Sequence, residues 1–257
     1  MKVNLRSRFA AALAATLMTA PWLAPSGADA SRADLTAFLE RAGKMAEHNR
    51  AVRADMSIEL ADGSHDTAVL IIAPEKDRSF IAFRSSGWRA LMPLDWGQGK
   101  AVRSEGGKPE TLDVDDPLSG TDLRAMEFFA FWDARIESAF ISDSSRNEKT
   151  ITLYTPDGVP YILFVVTFDK TQLVPVSMKY YRDEMSNLVR IRNDNGHKMV
   201  GSRPRPSTVQ ITDYSENTST KIELEWSTLD RIPESLLDES TFHSAAVDWK
   251  ADSPATP

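Results

Sequence analysis

"TKIELEW", residues 220–226, sets apolar Ile222, Leu224 and Trp226 against charged Lys221, Glu223 and Glu225. Successive strand side chains point to opposite faces, so the stretch reads as a strand with one wet face and one face that needs an interior. "VRADMSIEL" (52–60) repeats the pattern, with Val52, Ala54, Met56, Ile58 and Leu60 on one side. Working outward, "TAVLIIA" (67–73), "SFIAF" (79–83), "WRALM" (88–92), "KTITLYT" (149–155), "VPVSMKYY" (174–181) and "STVQITDY" (207–214) add further runs. "ADGS" (61–64), "SSG" (85–87), "GGKP" (106–109) and "PDG" (156–158) punctuate them as turns. About twelve candidate strands at roughly ten-residue spacing predict an antiparallel barrel or sandwich. "YILFVVTF" (161–168) is apolar on both faces, Ile162, Phe164, Val166 and Phe168 opposing Tyr161, Leu163 and Val165. It is expected in the middle of the assembly, covered on both sides.

Two stretches are helical. In "DLTAFLERAGKMAEHN" (34–49), Leu35, Phe38, Leu39, Ala42, Met45 and Ala46 recur at helical spacing, with Ser31 or Asp34 as the cap. "FFAFWD" (128–133) follows a loop marked by Pro117 and Gly120, and Thr121 or Asp122 is placed to cap a short helix from Leu123. On that helix Phe128, Phe131 and Trp132 share a side. Each helix has an apolar stripe that needs a sheet to cover.

The N-terminus carries basic Lys2, Arg6 and Arg8, a short apolar run, and small residues at "ADA" (28–30). This is the pattern of a secretory signal peptide, expected to be cleaved after Ala30. The remainder is expected to form one domain over residues 31–247 with a disordered tail over 248–257, and to reside in the periplasm as a monomer. The chain carries a net charge of −7; its first thirty residues contribute +2, leaving −9 on the remainder. Such a charge argues against nucleic-acid binding through phosphate neutralisation. There is no cysteine, hence no disulfide, thiolate site or cysteine nucleophile. A chain of this size buries roughly 70% of its unfolded surface, enough for one large core.

Motifs for chemistry are missing. His48, His65, His197 and His243 are scattered, and neither a paired-histidine zinc motif nor a G-x-S-x-G elbow occurs. The acidic run at Asp113, Asp115 and Asp116 lacks calcium-loop spacing and reads as a solvated turn. "RPRP" (203–206) reads as a guard on a sheet edge. No cofactor is expected.

The second half resembles a known family. "PVSMKYYRDEMSNLVRIRN" (175–193) and "RPSTVQITDYSENTSTKIELEWSTLDRIPESLLDESTF" (205–242) look like the pattern of the periplasmic outer-membrane lipoprotein-sorting proteins of the LolA-like superfamily. The order is a Tyr-Tyr strand and its return, an Asp turn, a Lys-x-x-Leu-Glu-aromatic-Ser strand and a closing "IPESLL". "GWRALMP" (87–93) and "SGTDLRAMEF" (119–128) resemble the family's Trp strand and its Gly-Ser/Thr-Asp segment. "GWRALMPLDWGQGK" (87–100) departs from it in lacking the usual basic string, and "TDLRAMEFFAFW" (121–132) in lacking the Tyr-Glu-Asp.

The resemblance implies a mainly β fold with helices (α+β). It is a curved, incomplete antiparallel β-barrel covered on its concave side by an N-terminal helix and a short aromatic helix. It further implies a non-enzymatic carrier of lipoprotein or lipid acyl chains, with an inner-membrane exporter and an outer-membrane acceptor as partners. The expected cavity lining is Trp88, Leu91, Met92 and Trp96 from one hairpin, Phe128, Phe131 and Trp132 from the short helix, Phe38 and Met45 from the first helix, and Phe164. Burying an alkyl chain contributes about 0.8 kcal/mol per CH₂, and release requires a cavity that closes favourably when empty. Two other classes stay open: an accessory protein of an exporter or envelope assembly that carries no lipid, and a hydrolase with a dispersed triad.

Overall fold

The computed structural model describes residues 27–46, 50–94, 100–113, 115–128, 139–155 and 160–249. The two alternating stretches that opened the reading lie side by side. Strand β1 (Val52–Glu59) pairs antiparallel with the last strand, β15 (Thr218–Thr228), and its register sets Ile58 opposite Ile222, Met56 opposite Leu224 and Ala54 opposite Trp226. From β1 the chain meanders through β2 (His65–Ala73), β3 (Arg78–Phe83), β4 (Trp88–Pro93), β5 (Val102–Glu105) and β6 (Glu110–Thr111). The other half holds β7 (Ala139–Ser144), β8 (Glu148–Tyr154), β9 (Leu163–Asp169), β10 (Val174–Tyr181), β11 (Leu188–Asn195) and β14 (Thr208–Asp213). A small hairpin, β12 (Lys198–Val200) and β13 (Arg203–Arg205), stands apart as its own two-stranded sheet.

The main sheet has thirteen strands in the order β6-β5-β4-β3-β2-β1-β15-β14-β11-β10-β9-β8-β7, antiparallel throughout and not closed. It is nonetheless curled. Ser119 bonds to Ser86 beside β4 at 2.7 Å, while Asp115 accepts a 2.7 Å bond from Tyr161 beside β9. A flat sheet would hold those strands roughly 30–40 Å apart, whereas the chain from Asp115 to Ser119 extends about 14 Å at most. The barrel is therefore incomplete but strongly bent.

Its inner face is the core. Val52, Met56, Leu70, Ile81, Phe83, Met92, Ile151, Val166, Ile211 and Ile222 all belong to one buried cluster. Helix α1 (Gly27–Ala46) covers part of it with Leu35, Phe38, Leu39 and Ala42, the helical stripe expected from the sequence. The helix begins earlier than expected. Asp34 does not cap it but accepts a 2.7 Å bond from Lys149 of β8. No described helix is long and apolar enough to cross a membrane.

The outer face of β2–β4 is covered as well. Val69, Ile71, Phe80, Ala82 and Leu91 form a second cluster with Leu236, Phe242 and Ala245 of the C-terminal segment. Arg89 clips that segment down, donating through Nη1 to the carbonyls of Phe242 (3.1 Å) and Ala245 (2.6 Å). This is why "TAVLIIA" and "SFIAF" are apolar on both faces. Asp248 and Trp249, within the expected tail, also touch the sheet: Arg53 donates to the Asp248 carbonyl at 2.5 Å, and Trp249 packs against the second cluster.

"YILFVVTF" departs from expectation. Its strand, β9, is third from the β7 edge, and its outer face at Val165 and Thr167 is only half buried. Tyr161 precedes the strand and so escapes its alternation, packing 5.8 Å from Phe164 on the inner side.

Candidate functional site

The inner face divides into an apolar region under α1 and an ionic region under the 115–128 segment. Phe38 of α1 meets Phe168 of β9 edge-on, centroids 5.4 Å apart at 83°. Lys149 Nζ lies 4.7 Å above the Phe38 ring while its charge is held by Asp34. The middle of the described helix, at Asp34 and Phe38, is thus pinned to β8 and β9.

The C-terminal half is not packed solid. Between it and the sheet lies a cavity of about 230 Å³. Leu39, Ala42 and Met45 form its roof, and Phe168, Leu173, Val174 and Pro175 form one wall. Arg192, Asp194 and His197 lie on its floor, and Arg203 to Pro206 close the far side. The hairpin carrying the far wall is anchored by Trp226 of β15, whose indole donates to the Pro206 carbonyl at 2.7 Å and whose ring sits 4.6 Å beneath the Arg205 guanidinium. Gly196, at φ +63, permits the entry to the hairpin, since a side chain there would collide with Ser207.

The ionic region is built around Arg190. Its side chain is 1% exposed and its Nη2 bonds Glu127 Oε1 at 2.9 Å. Its Nε lies 3.4 Å from Asp213, its cross-strand neighbour, which Arg124 approaches at 3.3 Å. Arg190 also donates to the Asp122 carbonyl and, at 3.4 Å, to the Tyr161 hydroxyl. Burial alone would lower the Arg190 pKa, but Glu127, Tyr180 and Tyr161 together outweigh it and the group stays charged. Burial would raise the Asp213 pKa, yet bonds from Ser215 and Glu216 and the charge of Arg190 hold it below the ordinary range. Desolvation pushes Tyr161 up to about 12, against the pull of Arg190.

Asp122 fastens the segment above this network. Its Oδ1 and Oδ2 accept from Thr218 (2.6 Å) and Thr220 (2.8 Å) of β15. The acidic run beside it is not a solvated turn throughout: Asp115 is held by Tyr161 and by Arg182 at 2.8 Å.

The expected lining residues separate. Phe38, Trp88, Met92 and Phe164 are all buried in the inner cluster. Of those among the described residues, Met45 alone borders the cavity; Trp88 is packed edge-on against Phe83 at 5.6 Å and is not part of its lining. Leu91 is on the outer face, beneath the C-terminal segment, because it alternates with Ala90 and Met92. Trp96, Phe131 and Trp132 lie outside the described residues, as does the side chain of Phe128, whose backbone ends a 3₁₀ turn (Ala125–Phe128).

Several lining residues escaped the sequence reading. Leu39 and Phe168 had a signal, since each shares a face with a chosen residue. Arg203 and Arg205 did not: rather than guarding an exposed edge they are 7% and 8% exposed and face the cavity.

No protein-family model matches the chain, and no curated protein sequence does either. Solved structures do match. The chain is similar to an outer membrane lipoprotein-sorting protein domain from Vibrio parahaemolyticus at TM-score 0.66 and 13% identity, over 82% of this chain and 99% of that one. A DUF1329 family protein from Desulfovibrio piger matches at TM-score 0.65 and 11% identity, over 82% and 98%. A LolA superfamily protein from Nitrosomonas europaea matches at 0.59 and 13%, over 79% and 97%. At these identities the likeness is one of fold: the chain has the LolA-like architecture, as the resemblance implied.

Proposed function

We propose that the protein is a non-enzymatic periplasmic carrier that takes acyl chains of a lipoprotein or another lipid between the bent sheet and α1. The observation that supports it most directly is the cavity roofed by Leu39, Ala42 and Met45. It sits between the apolar stripe of α1 and the inner side of the sheet, in a fold shared with a lipoprotein-sorting protein domain. Its 230 Å³ falls short of the roughly 300–1,000 Å³ of ligand pockets, so on this reading an acyl chain enters only as the cavity widens. Loading requires the C-terminal half of α1 to lift. Met45 suits such a hinged roof, because an unbranched thioether repacks at little cost.

Closure of the empty cavity is what permits release: the apolar contacts regained by the roof offset part of what the departing chain loses. A donor at the inner membrane and an acceptor at the outer membrane belong to the same reading. A carrier of nothing, docking on an envelope assembly, is the competing one. It is favoured by the burial of Trp88 and Phe83, which pack edge-on at 5.6 Å and so fill part of the inner face with the protein's own side chains.

Native mass spectrometry of the exported protein, purified without detergent, separates them. A carrier is expected to retain lipid mass, to lose it in Ala42→Trp, and to form adducts with phospholipid or lipoprotein from a photo-crosslinker at position 45. A spectrum of bare protein together with no adduct at position 45 sinks the carrier and leaves the accessory role.

A further inference from the structure

The turn between β9 and β10 holds a backbone anomaly. Leu173 lies at φ +57, in the left-handed region that glycine adopts freely and bulky side chains avoid. Among the described residues, the other non-glycine positions at positive φ are Asp77, Ser119, Asp183 and Asn217, all short and polar. The turn does not depend on leucine for its shape. The Leu173 N–H donates to the Asp169 carbonyl at 2.9 Å, and Asp169 Oδ1 accepts from the N–H groups of Thr171 and Gln172, both at 2.7 Å. Glycine or asparagine at 173 would close the same turn with less strain. An unfavourable backbone kept at one bulky residue points to what its side chain touches.

That side chain borders the cavity and packs, half-buried, against the inner cluster. The cavity lies at one margin of the sheet. Val174 opens β10, Asp194 is next to last in β11, and Pro206 comes just before β14; all three line the cavity. Register sets these strand ends side by side, with Asn195 opposite Thr208. The 170–173 turn stands at the same margin, and the Phe168–Pro175 pair lies one step further in. An alkyl chain laid beneath Met45 and over Phe168 towards the margin therefore meets Leu173 at its end. Methylenes beyond that contact stay outside the apolar space and gain nothing from burial.

We propose that Leu173 is the end stop of the cavity and sets the length of acyl chain it accepts. The inference rests on the carrier function and adds a chain-length limit to it. The left-handed backbone is the cost of turning a leucine, rather than a glycine, into that position.

Titration calorimetry on the exported protein, below aggregation concentrations, compares octanoate, decanoate, dodecanoate, tetradecanoate and hexadecanoate. Affinity is expected to rise about fourfold per buried CH₂ and then level off at a limiting length. Leu173→Gly keeps the turn, because glycine tolerates positive φ. In that variant the levelling is expected about two carbons later, so that the acid two carbons past the limit binds about tenfold tighter than it does to the unaltered protein. An unchanged limit in the folded variant overturns the end stop and leaves the carrier standing, as does an affinity that changes equally at every length. Absence of binding by every acid to the unaltered protein overturns both. A second measurement needs no variant. An acid of the limiting length, with a diazirine at its methyl end, is expected to form adducts within residues 169–175 of the unaltered protein. Adducts confined to other segments overturn the end stop.

Discussion

At the scale of single residues, the most consequential side chains are ones whose surroundings are remote in sequence. Arg190 looks like any charged residue in an alternating strand, yet it is enclosed by Glu127, Asp213, Asp122 and Tyr161. Removing one partner of a buried pair leaves the other charge uncompensated, which costs about 3–5 kcal/mol. Glu127→Ala is therefore expected to lose that much in urea unfolding, and a loss under about 1 kcal/mol would show that Asp213 alone suffices. Tyr161 supplies a pH test. Its folded pKa of about 12 lies above the ordinary phenol value of 10.0. The neutral phenol is favoured by folding, so its contribution is intact below pH 10 and lost as pH rises from 10 towards 12. The loss is roughly 2–3 kcal/mol for a shift of this size. Tyr161→Phe should flatten the stability profile over that window. An unchanged slope would assign the alkaline loss to another group, Tyr180 being the nearest candidate because burial raises its pKa further.

Among the elements, the strands were legible and their coverings were not. The alternation in "VRADMSIEL" and "TKIELEW" is a property of adjacent residues, and the structure pairs these two stretches directly. The stripe on α1 was equally local. The C-terminal segment was harder, since "IPESLL" and Phe242 carry no period, and only the bare outer face of β2–β4 explains why they stay. Leu91 was assigned to the cavity for the same lack: in a strand apolar on both faces, nothing local tells which face is inner. Phe242→Ala is expected to cost about 3–5 kcal/mol, the range for truncating a buried Phe. It should leave lipid retention in the native mass spectrum unchanged, because the segment and the cavity lie on opposite faces. Loss of retention without loss of stability would tie the outer covering to cargo.

For the molecule as a whole, the alternation and turn signals predicted an antiparallel barrel or sandwich, and the family resemblance its bent, incomplete form under two helices; the sheet and α1 are as expected, and the aromatic stretch beyond Phe128 lies outside the described residues. Alternation and turn signals depend on neighbours a few residues apart. The tertiary structure alone decided where the space is left, which charges line it and which are locked away from it. It set a cavity beneath Leu39, Ala42 and Met45 of α1, and turned Arg203 and Arg205 towards it. It also gathered Arg190, Glu127 and Asp213 from segments far apart in the chain. The physical reason is that alternation orders side chains into two faces without saying what will cover either one. Burial, pKa and cavity volume are properties of that cover.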